Sequence, residues 1–113
     1  MSSKVLNLTK KLIRCRSVTP DDENCQELIA ERLHQKGFLA THLRFDNVDN
    51  LWLKRGNKKP LIVFAGHTDV VPPGPIHEWT CDPFEPTEKN GELIGRGAAD
   101  MKSSIAAFMI AVE

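Results

Sequence analysis

The chain has 113 residues, 41% hydrophobic and 27% charged, a size and balance that suit one folded unit with a buried core and exclude a disordered or fibrous class. Fifteen basic and fifteen acidic residues leave a formal net charge of zero, so no charge excess attracts nucleic acid or an anionic membrane surface. A small-molecule partner is expected instead. Cys15, Cys25 and Cys81 are odd in number, widely spaced and lack a Cys-x-x-Cys pair, which supports neither a disulfide framework nor a structural zinc ribbon and points to reduced thiols in the cytoplasm. Residues 1–7 carry one Lys and no apolar block, and the apolar stretches at 61–65 and 105–112 are short, so neither a signal peptide nor a membrane span is expected.

Val5, Leu8, Leu12 and Ile13 recur at helical spacing, with Ser2 or Ser3 available as a cap, predicting an amphipathic helix to about Cys15. Ser17-Val18-Thr19-Pro20 breaks it. Thr19 reads as the N-cap of a second helix, with Pro20 at its first position, Asp22 facing the helix dipole, and an end near Gly37. Cys25, Leu28, Ile29 and Leu33 form its buried stripe, and Glu27, Glu31, Arg32 and Lys36 its wet side. Leu39, Thr41, Leu43 and Phe45 then alternate with Ala40, His42 and Arg44, and Leu51-Trp52-Leu53 follows the turn-rich residues 46–50, which predicts a pair of strands as a hairpin.

Leu61-Ile62-Val63-Phe64-Ala65 is apolar at every position, so both faces should be covered, as in a central strand of an α/β sheet sandwiched by helices. His67 follows at the carboxyl end, where ligands bind in such sheets. Pro72, Pro73, Pro75, Pro83 and Pro86 exclude a long helix or central strand beyond it and leave a stiff loop, with Trp79 and Phe84 as its core anchors. Leu93-Ile94 should form a short strand after the Asn90-Gly91 turn. Ile105, Phe108, Met109 and Val112 mark a third helix from near Asp100. It has no Gly or Pro stop, and Glu113 faces the negative end of its dipole, so the chain is expected to be cut within a larger protein.

The chemistry concentrates in Gly66-His67-Thr68-Asp69-Val70-Val71-Pro72 and Gly95-Arg96-Gly97-Ala98-Ala99-Asp100-Met101-Lys102. His67 offers an imidazole nitrogen and Asp100 a carboxylate, donors a divalent metal takes. In extended backbone, residues two apart face one side, so Asp69 can receive the other ring N–H of His67 and fix its tautomer. Each residue also has a plain structural reading: His67 and Asp69 as polar loop residues closing a strand, Asp100 as the cap of a helix beginning at Met101. Gly95 and Gly97 do not complete a dinucleotide-binding Gly-x-Gly-x-x-Gly, since Asp100 stands where the third Gly would be. His34 and His42 lie on predicted elements and read as structural, while His77 with Cys81 could take up metal opportunistically.

Together these segments resemble the dinuclear zinc aminoacylase and carboxypeptidase superfamily. With Ser17-Val18-Thr19-Pro20, Asn24-Cys25-Gln26, Trp79 and Asp82-Pro83-Phe84, the wording resembles the bacterial members that hydrolyse N-succinyl-LL-2,6-diaminopimelate to succinate and LL-2,6-diaminopimelate in lysine and cell-wall precursor synthesis. The resemblance covers essentially the whole chain but implies only the N-terminal portion of a three-layer αβα zinc-peptidase-like catalytic domain with a mixed sheet. It implies two zinc ions, with cobalt as the alternative. His67 would ligate one, Asp100 would bridge both, Asp69 would orient His67, and a cis peptide would follow Asp100. Ser103 stands where related sequences often have Gly. The general base, the remaining ligands and the lid domain through which such enzymes form homodimers would lie outside these residues, so the chain alone is expected to be inactive and able to self-associate. The shared motifs leave acyl specificity open: acetylornithine deacetylase and related deacylases or peptidases are the alternatives, as is a non-catalytic metal-binding or interaction module.

Overall fold

A computed structural model describes residues 3–113 of the chain. The first helix, α1, spans Lys4–Arg14, and the Ser3 hydroxyl accepts from the Leu6 amide at 2.9 Å, supplying one free amide of the first turn with a partner. Ser2 lies outside the described residues. Leu8, Leu12 and Ile13 are buried along one face of α1, as their spacing predicts.

The second helix, α2, spans Cys25–His34 and so begins later than the Thr19-Pro20 reading places it. Residues 17–19 are held extended instead. Val18 and Val70 form a parallel bridge in which the Thr19 amide donates to Val70 O at 3.0 Å and the Val70 amide to Ser17 O at 2.9 Å. A backbone committed to that bridge cannot also enter a helix. The α2 start is served by Asp22, whose carboxylate accepts from the Gln26 amide at 3.0 Å. Cys25, Ile29 and Leu33 are buried as expected, Ala30 joins them, and Leu28 packs partly buried at the margin.

The hairpin is present: β1 spans Leu39–Phe45 and β2 spans Val48–Lys54, antiparallel with Phe45 opposite Val48. The turn is therefore Asp46-Asn47 alone, tighter than the 46–50 segment expected, and Asp46 takes a left-handed φ of 54°. The Arg44 guanidinium bonds the carboxylate of its cross-strand partner Asp49 at 2.7 Å. A second small hairpin pairs β3, Thr87–Lys89, with β4, Glu92–Ile94, around Asn90-Gly91. The predicted Leu93-Ile94 strand is thus found with its partner.

The third helix, α3, spans Ser103–Val112 and is preceded by a helical turn, Ala98–Lys102, that Asp100 and Met101 interrupt with non-helical backbone. Leu8 and Leu12 of α1, Cys25, Ile29 and Leu33 of α2, and Ile105, Ala106 and Met109 of α3 form one core cluster, against which Leu51 and Leu53 of β2 pack. Glu113 faces Arg32 at 2.6 Å, so a cation from α2 offsets the negative end of α3.

The chain thus mixes helices and antiparallel strands, as expected of this fold class. The central strand differs. Residues 61–65 form no ladder among the described residues, and Leu61, Ile62, Val63 and Phe64 are 74, 74, 56 and 53% exposed. Burial of both faces of a strand requires neighbours on its two edges and a cover, and here only Phe64 finds one, stacking on Phe108 of α3 at 5.2 Å. The loop that follows is irregular, with one short helical turn at Ile76–Glu78. Phe84 anchors it as predicted, buried beneath the Arg16 guanidinium, whereas Trp79 is only half-buried and its indole donates to Pro73 O at 2.9 Å within the loop itself. No helix among the described residues is long and apolar enough to cross a membrane.

Candidate functional site

The two motif segments meet because Val70 is pinned to residue 18 and the 95–102 segment packs against it. Gly97 makes that approach possible. Its φ is +81°, and a Cβ there would lie 2.4 Å from Val70 Cγ1. Gly66 does the same on the other side, where an added Cβ would meet Met101 Cε at 2.9 Å. Two glycines therefore bring residues 66–70 and 97–101 into contact.

Across this contact His67 Nε2 lies 3.0 Å from Asp100 Oδ1. The other ring nitrogen, Nδ1, faces Asp69 O at 3.0 Å and Asp69 Oδ1 at 3.3 Å. The expected His67–Asp69 pairing is formed, with the backbone carbonyl as the nearer acceptor. Asp69 is itself held, since the Thr19 hydroxyl donates to Oδ2 at 2.5 Å. The capping alternative for Asp100 is not what is observed: its backbone is non-helical, no side-chain cap bond is made at either helical start, and its carboxylate is turned to His67. The Asp100–Met101 peptide is cis.

The carbonyl of Asp69 raises the His67 pKa above its ordinary value, desolvation opposes it, and the Asp100 carboxylate adds to the rise. The imidazolium is thus favoured when both ring nitrogens face acceptors. The ring and both carboxylates reach solvent, and Asp100 is 87% exposed, so the pair stands open to a ligand. An apolar groove of about 1170 Å³ between β2, residues 61–64 and α3 runs up to His67 and Asp69.

Beneath the open pair lies a buried support that the sequence did not signal. Lys102, two places past Asp100, is fully buried and donates to Ser17 Oγ at 2.8 Å and to Cys15 O at 2.6 Å. Ser17 in turn donates to Thr68 O at 2.9 Å, next to His67. Burial pushes the Lys102 ammonium below its ordinary pKa. A lysine in a helix start normally reads as solvated, and its burial depends on a segment 85 residues away in the chain.

His67 and Asp100 are the metal-type donors the fold unites. Among the described residues no group of three or more His, Cys, Asp or Glu converges as a metal cluster. His34 and His42 lie at the end of α2 and on the exposed β1, away from the pair.

Residues 63–113 match the Peptidase family M20/M25/M40. The chain is 65% identical to a succinyl-diaminopimelate desuccinylase of Thioalkalivibrio sulfidiphilus, over 98% of its own length and 30% of that protein. Proteins of the same name from Bordetella petrii and Methylobacillus flagellatus are 60% and 59% identical over 98% of the chain, which covers 29% and 30% of them. The chain spans about three tenths of the length of these curated relatives. Both glycine-bordered motifs lie within the residues that match this family.

Proposed function

We propose that the chain supplies part of the active site of a metal-dependent amidohydrolase that releases succinate from N-succinyl-LL-2,6-diaminopimelate, as the name of its relatives describes. The observation that carries this reading is the convergence of His67 Nε2 and Asp100 Oδ1 at 3.0 Å from opposite ends of the family match, inside a chain 65% identical to such an enzyme. An imidazole nitrogen and a carboxylate oxygen directed into one open space are donors that zinc accepts, with cobalt as the alternative, so the residues fit the ion. We infer that two such ions would be held here, with His67 and Asp100 among the residues that hold them.

A bound divalent ion supplies Lewis acidity toward an amide carbonyl and toward water. The chain's own residues do the positioning. Asp69 holds the proton on His67 Nδ1, leaving Nε2 as the donor atom, and Thr19 keeps the Asp69 carboxylate in place. Ser17 and Lys102 fix the backbone on either side, at Thr68 and at the start of α3. Among the described residues no third metal-type donor converges with the pair, and we infer that the chain by itself turns over no substrate and holds metal weakly. A cytoplasmic enzyme, acting as a homodimer, fits the reduced thiols and the small-molecule substrate.

The test is a chimera in which residues 1–113 replace the matching segment of the Thioalkalivibrio sulfidiphilus relative. It should release succinate from the succinylated substrate in the presence of zinc and leave acetylornithine nearly untouched, whereas preference for the acetylated amine would assign the chain to a different deacylase. Calorimetry on the chain alone should find weak zinc uptake. Tight uptake of two equivalents would overturn the assignment of only His67 and Asp100 as its ligands.

A further inference from the structure

Met101 stands between the two donors without being one. It follows Asp100 in the chain, and its Sδ accepts the backbone N–H of His67 at 3.5 Å, so a single side chain links the residue after one donor to the main chain of the other. Among the described residues no backbone carbonyl takes that N–H. A main-chain donor calls for an acceptor, and the thioether is the one the protein gives it.

The sulfur reaches the amide because residue 66 has no side chain. A Cβ on Gly66 would lie 2.9 Å from Met101 Cε, closer than such atoms approach, 3.2 Å from Sδ and 3.7 Å from Ile105 Cγ1. The seat is therefore apolar on one side and faces an N–H on the other. Met101 is half-buried there and packs against the core cluster that holds Ile105. Methionine suits such a seat, being an unbranched apolar side chain that also carries an acceptor. A leucine would leave the His67 N–H without its partner, and a hydroxyl or amide would set a polar group against Ile105. On the far side the chain is already fixed, since the buried Lys102 ammonium is tied to Ser17 Oγ and Cys15 O. The thioether is thus the contact through which this anchored segment meets His67.

We propose that Met101 is a positioning residue for the pair: its thioether, seated at Gly66 and holding the His67 amide, sets the 3.0 Å separation of His67 Nε2 from Asp100 Oδ1. The consequence for an ion rests on the reading of His67 and Asp100 as metal donors; the seating of the thioether does not. Coordination distances are narrow, so a residue that spaces two donors sets their affinity for an ion without touching it.

The experiment compares the chain with Met101→Leu and Gly66→Ala, first free of metal. Leu keeps the apolar volume and removes the acceptor; Ala keeps the acceptor and expels it, displacing the flexible end of the methionine rather than backbone. Proton NMR of the parent should show nuclear Overhauser contacts between the His67 ring and the Asp100 β-protons, and both variants should lose them and exchange the His67 amide faster. Gly66→Ala, which alters no core side chain, decides the matter if Met101→Leu lowers the urea midpoint. Zinc should then bind about tenfold more weakly to either variant, and the double variant should be no weaker than the single ones. Contacts that persist, zinc affinity that stays unchanged when they are lost, or additive losses in the double variant overturn the proposal and leave Met101 as core packing. A parent chain that takes up no zinc overturns the metal-donor reading instead, and the metal-free contacts still decide the role of Met101.

Discussion

At the scale of single residues, the site depends on His67 facing an acceptor at each ring nitrogen. A His pKa raised on folding contributes stability that is fully present below its unfolded value, ordinarily about 6.5, and is lost as pH rises through the folded value. In the metal-free chain the His67 ring should therefore titrate above 6.5 by proton NMR, and Asp100→Asn should lower the midpoint. A His67 midpoint below 6.5 would contradict the geometry. Gly97→Ala tests the approach of the two motif segments. It forces a side chain into a positive φ and against Val70, so urea unfolding should show a loss of more than about 1 kcal/mol. His67, Asp69 and Asp100 were legible from the sequence because their residue types carry chemistry and their motifs fix local backbone. Thr19, Ser17 and Lys102 were not, since each acts through a partner remote in the chain and none is of a distinctive type at its position.

At the scale of elements, the helices followed from periodicity and capping where these compete with nothing else. Spacing alone marked the buried face of α1, and Leu12→Ala should cost about 2–5 kcal/mol in the same unfolding measurement. The start of α2 was misplaced because Thr19-Pro20 has the composition of a helix start, while the bridge to Val70 is a tertiary contact that local pattern does not contain. Ser17→Ala reports on that junction. It leaves the Lys102 ammonium with Cys15 O as its remaining bond and takes the side-chain donor from Thr68 O, a loss of about 1–3 kcal/mol. A change near zero would mean that water replaces the hydroxyl and that the junction is not dry.

At the scale of the whole molecule, the mixture of helices and antiparallel strands was legible, and the pairing of residues 61–65 was not. An apolar run states that both faces prefer burial; it does not supply the neighbours that would bury them. Leu61, Ile62 and Val63 accordingly lie exposed beside the groove that leads to His67. An open apolar edge favours association, so sedimentation should show concentration-dependent self-association that Val63→Lys reduces. The same groove runs up to His67 and Asp69, at the edge of the candidate site.

The most direct test of that chemistry is succinate release by the chimera carrying residues 1–113, measured beside His67→Ala and Asp100→Ala versions of it with metal content determined on each. The account predicts zinc-dependent release in the parent chimera, loss of release to background in both variants, and a reduced metal content in each. Undiminished release by either variant, with metal retained, would contradict it.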